Sequence, residues 1–229
     1  MYRSEGLKGS ADKILTIVWK DIKSEIRTKE IATSLVAFAL LVIIVVSFAL
    51  EPGENTSTIA AGILWVAFTF AGVLGLSRSF VLEKDKGCLQ GLMLCPVDRS
   101  LLYLGKMLSI LVFMLVVEAI IVPVFIVLFN QHGFPPQLLV IVPLATIGFA
   151  AVGTLFSAMA VNTRARDVMM PLLFLPIAAP VIIAAIKSTG LVLSGESWGA
   201  IASWLGVMAA FDVIFLAVSP LVFEFVIEE

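Results

Sequence analysis

Three kinds of side chain in this sequence could do chemistry. Glu118 and Asp212 each interrupt a long apolar run, in "FMLVVEAIIVPV" and "AAFDVIFLAV". A charge at bilayer depth costs about 2.5–3.5 kcal/mol on insertion scales, so each acid must face protein, pair with a partner or carry a proton. Such an acid can serve as the polar element of a conduit or gate. It can also fix packing through an interhelical hydrogen bond, which is the simpler role. No Lys or Arg lies at comparable depth to pair with either. His132 is the single histidine and sits in the polar turn "NQHG", where an imidazole could ligate a metal centre but is more commonly solvated. Cys88 and Cys95 match no metal-binding spacing and read as small apolar side chains. No nucleophile–base pair or metal cluster falls in any apolar run, which argues against an intramembrane enzyme.

The densest polar chemistry lies in "RSFVLEKDKGCLQGLMLCPVDRSLLYLGK", residues 78–106, which holds five of the chain's 15 Lys and Arg residues. Glu83, Lys84, Asp85, Lys86 and Gly87 come first, then the apolar positions Leu89, Leu92 and Met93 with Gln90 among them, then Cys95-Pro96 and Asp98-Arg99-Ser100. Pro96 ends one helix, and Asp98 or Ser100 can cap the next. The pattern predicts a short helix with one sticky face, over about residues 83–97, lying between two spans. A join of that length exceeds what linking two spans requires, so it holds something on its own side of the membrane. The sequence has no G-x-x-x-x-G-K-[ST] phosphate loop, since its one Gly-Lys pair, Gly105-Lys106, runs on into Met107. If ATP drives this protein, another subunit hydrolyses it.

These residues need a scaffold, and composition says what kind. A mean hydropathy of +1.09, with 60% hydrophobic and 14% charged residues, places the chain among integral membrane proteins. Long unbroken apolar runs indicate spanning helices rather than barrel strands, so the fold class is all-α. The runs are residues 31–50, 59–76, 107–129, 138–161, 168–186 and 200–223, six spans forming a transmembrane domain over 31–229. Residues 1–30 form a separate N-terminal segment that reads as an amphipathic helix. Ser10 is a candidate N-cap, Ile14, Val18, Ile22 and Ile26 repeat every fourth residue, and Lys13, Lys20, Lys23 and Arg27 lie between them. Such a helix lies on the membrane surface or docks on a partner. Lys and Arg concentrate before the first span, in residues 78–106 and at Arg164 and Arg166, with only Lys187 on the other side. The positive-inside bias then puts both termini and the charged stretch in the cytoplasm. Arg164 and Arg166 face either lipid headgroups or a cytoplasmic partner.

Smaller features complete the expectation. "KSTGLVLSGESWG" is half apolar and could dip back as a re-entrant helix. Pro171, Pro176 and Pro180 should bend or break span five, either as a hinge or as ordinary proline tolerance. Gly72, Gly75, Gly148 and Gly153 mark packing seams. Trp65, Trp198 and Trp204 fall near outer span ends and read as interfacial anchors.

Taken together, "IAAGILWVAFTFAGVLGLSRSFVLEKDKGCLQGLMLCPVDRSLLYLGKML", "GFAAVGTLFSAMAVNTRARDVMMPLLFLPIAAPVI" and "FDVIFLAVSPLVFEFV" resemble the haem exporter protein B family, CcmB, from residue 12 onward. Ser77, where Asn is expected before Arg78, and Gln90, where some members carry an acid, depart from the family pattern. The resemblance implies an ABC-2-type permease of the bacterial inner membrane that acts in c-type cytochrome maturation. It implies a separate CcmA-like ATPase that binds the ATP, CcmC-like and CcmD-like membrane partners, and a CcmE-like haem chaperone. Haem would be cargo rather than a bound cofactor, and no nucleic acid is involved. ATP would drive haem export or release of the loaded chaperone. Glu83, Asp85, Gly87, Leu89, Gln90, Leu92, Pro96, Asp98 and Arg99 would then belong to the coupling helix in the ATPase groove, and His132 becomes a candidate haem ligand. Two other classes stay open: a motor-free carrier using Glu118 or Asp212 as proton carrier, and a membrane assembly factor that transports nothing.

Overall fold

Inside hydrocarbon the backbone must satisfy its own polar groups, and a helix does so segment by segment. The computed structural model describes residues 2–28, 30–49, 56–85, 98–129, 135–160 and 166–228. Among them the regular elements are helices α1 (Tyr2–Thr28), α2 (Glu30–Ala49), α3 (Thr56–Asp85), α4 (Arg99–Leu128), α5 (Leu138–Ala160), α6 (Arg166–Leu193) and α7 (Trp198–Glu228). The helices α2 to α7 are each long and apolar enough to cross a membrane. The protein is an all-α, multi-pass membrane protein.

The bundle is built around α5, which packs against α3, α4, α6 and α7. Small residues make this closeness feasible. Gly72 of α3 lies under the Phe149 ring of α5, and Gly153 of α5 lies under Leu76 of α3, so a Cβ at either glycine would overlap its neighbour. Polar ties supplement the seam: Ser157 donates to the Leu76 carbonyl at 2.9 Å, and the Tyr103 hydroxyl of α4 donates to the Ala151 carbonyl at 2.8 Å. The glycine seams expected from sequence are present. By contrast, α2 and α7 lie at the periphery, with Phe48, Val213 and Phe225 turned outward, as befits side chains whose solvent is lipid.

Several expectations need correction. Ser10 does not cap α1, because the helix already runs from Tyr2 and Ser10 lies within it. Helix α1 packs along α4, while Leu15, Trp19 and Ile26 stay exposed. Ile17, outside the four-residue repeat, sits over Gly105 of α4, 3.0 Å from where a Cβ there would stand. The third span begins at Arg99 rather than 107, since Lys106 is buried against α1 and paired there. Helix α6 runs unbroken through Pro171, Pro176 and Pro180. The re-entrant segment is absent as well: Lys187–Leu193 are the last turns of α6, and the connection to α7 is a turn. There Gly195 takes a positive φ of 81°, its N–H donates to the Val192 carbonyl, and the Glu196 N–H reaches back to Leu191, each at 3.0 Å. That is a Schellman ending, in which glycine adopts the left-handed conformation at no steric cost. Trp65 is no interfacial anchor: it is buried, and its indole N–H donates to the Thr189 hydroxyl at 2.9 Å, tying α3 to α6.

Candidate functional site

Two residues apart on an α-helix means roughly opposite faces, and Thr146 and Gly148 of α5 use this to receive the two membrane acids. Glu118 reaches Thr146 from α4, and Asp212 reaches Gly148 from α7. The acids thus flank one helix at nearly one level.

Glu118 is 2% exposed. The Thr146 hydroxyl lies 2.8 and 2.9 Å from its two carboxylate oxygens and 2.7 Å from the Val142 carbonyl. A hydroxyl carries one proton, and here three acceptors compete for it. The set closes when the carboxyl supplies a proton of its own to the Thr146 oxygen, leaving the hydroxyl proton to Val142. This is the interhelical hydrogen bond expected of a packing acid. Beside the Thr146 contact lies a space of about 10 Å³ shared with Trp65, Phe68 and Thr69, room for a single water at most.

Asp212 is 5% exposed, and neither of its carboxylate oxygens has a hydrogen-bond partner among the described residues. Oδ1 occupies the space that a Cβ on Gly148 would take, with the Phe211 ring beside it. The Ser219 hydroxyl, two turns further along α7, is also buried and lies beside the Tyr103 hydroxyl. An unpaired buried carboxyl is costly, so Asp212 is the least satisfied acid among the described residues of the bundle.

A second polar centre, unforeseen in the sequence, surrounds the start of α4. Lys106, 2% exposed, donates to Asp21 of α1 at 2.8 Å. A buried charge needs such a partner, and the pair pins α1 onto α4. Four residues before the end of α7, Glu224 accepts from the Ser100 hydroxyl at 2.6 Å, and its carbonyl accepts from Arg99 at 3.3 Å. The base of α4 is therefore fastened to α1 on one side and to α7 on the other. The available signal was the pair Gly105-Lys106, a small residue beside a cation at a predicted span end.

The remaining candidates fall at or beyond the limits of the described residues. Glu83 and Asp85 are on the final turns of α3, which outlasts its apolar stretch Ser57–Ser77 by about 12 Å. Gly87, Leu89, Gln90, Leu92, Pro96, Cys88, Cys95, His132 and Arg164 lie outside the described residues, and Arg166 opens α6. Asp98 holds the N-cap position of α4 without a side-chain cap bond. Its carbonyl accepts from Leu101 at 3.0 Å and Leu102 at 3.2 Å. Among the described residues no group of His, Cys, Asp and Glu could hold a metal ion.

Known proteins provide an independent comparison. Residues 12–228 match the family model described as CcmB protein. The chain is 30% identical over 187 residues to "Heme exporter protein B" of Rhodobacter capsulatus, covering 80% of this chain and 84% of that protein. The protein of the same name from Pseudomonas aeruginosa is 28% identical over 191 residues, covering 80% and 83%. That from Bradyrhizobium diazoefficiens is 25% identical over 207 residues, covering 89% and 92%.

Proposed function

The chain belongs to the CcmB family, and from that premise we propose that it is the membrane permease subunit of a haem-exporting ABC system that serves c-type cytochrome maturation. In this reading a CcmA-like ATPase supplies ATP hydrolysis, and CcmC-like and CcmD-like proteins share the bacterial inner membrane with it. ATP drives haem export or the release of a haem-loaded, CcmE-like chaperone. Both termini face the cytoplasm, α1 forms the N-terminal segment, and residues 31–229 form the transmembrane domain. Residues 83–97 are the coupling helix, with Glu83, Asp85, Gly87, Leu89, Gln90, Leu92, Pro96, Asp98 and Arg99 at or near the ATPase groove. Arg164 and Arg166 contribute a cytoplasmic contact, and His132 is a candidate haem ligand on the opposite side.

The observation that carries this reading is the anchored base of α4. A helix that starts directly after the proposed coupling segment, tied to α1 by Lys106–Asp21 and to α7 by Ser100–Glu224, passes a push on that segment to three helices at once. Such transmission requires rigid, contiguous contacts, and these are buried or partly buried ones.

The test is affinity purification of the tagged chain from its own membranes in mild detergent, followed by mass spectrometry. Recovery of a P-loop ATPase with a haem-binding membrane protein is the expected result. Recovery of the chain alone, in detergent that preserves a known ABC complex, would favour a motor-free carrier. In the same experiment Leu92→Asp should lose the ATPase while the chain remains folded by size-exclusion chromatography. Undiminished ATPase recovery with that variant would refute the coupling-helix assignment.

A further inference from the structure

One open feature of the bundle plays no part in the haem reading. A groove of about 380 Å³ runs between the end of α1, the start of α2, α3 and α4, and Asp21, Glu25, Phe113, Val116 and Glu118 help to line it. Its volume is in the range of small-ligand sites, about 300–1,000 Å³, and its walls are almost wholly apolar. Along α4 it extends from Ser109 to Glu118, roughly 13 Å of helix. That is close to half of a hydrocarbon core about 30 Å thick, so the groove spans one leaflet. Val116 on its rim is 55% exposed, which opens the groove sideways to lipid.

Charge distinguishes the mouth from the floor. The acidic side chains that line the groove are Asp21, Glu25 and Glu118, with no Lys or Arg among the lining. Glu118 at the floor is occupied with Thr146, and Asp21 is bonded to Lys106 at 2.8 Å and to Lys20 at 3.1 Å. Glu25 uses one oxygen to accept the Ala32 N–H at 2.8 Å, and its charge faces the mouth. Lys23 and Arg27, two residues to either side of Glu25, are exposed on the far face of α1 and do not line the groove.

We propose that this groove seats one acyl chain of a phospholipid whose headgroup carries an ammonium ion, with phosphatidylethanolamine as the matching chemistry. The chain fills the apolar slot down to the level of Glu118. The ammonium ion meets Glu25 at the α1 end of the groove. An anionic glycerol headgroup has no cation to offer Glu25, and a porphyrin bearing two propionates would face carboxylates without a cation in the lining.

The test uses the full chain with whatever co-purifies, in phosphatidylglycerol nanodiscs that contain, at equal mole fraction, a phosphatidylethanolamine or a phosphatidylglycerol with a diazirine on its acyl chain. After illumination, mass spectrometry maps adducts to residues 109–118 and 68–76. The probe is present in both leaflets, so the result does not depend on which face is cytoplasmic. The ethanolamine probe should label these residues about three- to fivefold more than the glycerol probe, the selectivity of one exposed ion pair. That ratio should fall towards one in Glu25→Gln, which keeps the acceptor for Ala32 and loses the charge. Val116→Trp, which fills the rim without touching the packed face, should reduce labelling by both probes. Equal labelling by the two probes, an unchanged ratio in Glu25→Gln, or displacement of the label by added haem would each overturn the proposal.

Discussion

Thr146 and Gly148 present two faces of α5 to two buried acids, and the helix treats them differently. On the α4 side Glu118 meets the Thr146 hydroxyl, which lies within hydrogen-bond distance of both of its oxygens. On the α7 side Asp212 meets a glycine that offers space and no proton. Equal burial therefore does not mean equal roles. Glu118 has the surroundings of an acid that holds helices together, whereas Asp212 makes no such bond among the described residues. Membrane bundles gain only modest stability from interhelical hydrogen bonds, so retaining an unpartnered acid beside a deliberately small residue has a cost without a structural return.

The sharpest way to break this comparison is to fill the space at Gly148. Gly148→Leu drives atoms into Asp212 and Phe211, and overpacking of this kind should cost about 3 kcal/mol, the upper end of its usual range. Reversible denaturation in mixed micelles measures this, with Gly62→Ala, whose added Cβ meets nothing within 4 Å, as the control that should not destabilise. A Gly148→Leu variant as stable as the parent would mean that α5 and α7 are not in contact at this level. Next in size is the coupling between Glu118 and Thr146. A double-mutant cycle with Glu118→Ala and Thr146→Val should return about 0.6–1.7 kcal/mol, and a value near zero would remove the packing role from Glu118. Smallest is Asp212→Asn, which breaks no hydrogen bond and should shift stability by about 0.5 kcal/mol or less. A fall as large as that of the Glu118 variant would reveal a partner for Asp212 and erase the contrast.

Much of the fold was legible in the sequence because hydrocarbon is an unforgiving solvent. Six apolar runs could only be six helices, and Gly72 and Gly153 could be read as seams since nothing else explains small residues at those depths. The failures occur where polar residues were assumed to mark boundaries. By type Lys106 reads as a residue before a span, whereas its buried partner on α1 lets the helix run past it. The half-apolar stretch after Lys187 suggested re-entry, although its apolar residues continue α6 and only "SGES" turns. Trp65 was placed by its position along a span, and its burial depended on α6, which no local pattern announces. Of the site, both acids were visible by type, and even the packing role fits Glu118. What separated it from Asp212 was the identity of the residues facing them, Thr146 and Gly148, a matter of rotation about α5 that one-dimensional spacing does not specify.

The glycine turn after α6 has a topological consequence. Between Trp198 and Glu229 the chain has no Lys or Arg, so α7 carries no positive charge of its own by which the positive-inside bias could orient it. The Schellman ending at Gly195 leaves too little chain for α7 to do anything but return antiparallel to α6. Direction is thus inherited: whichever way α6 crosses, the turn sends α7 back the other way.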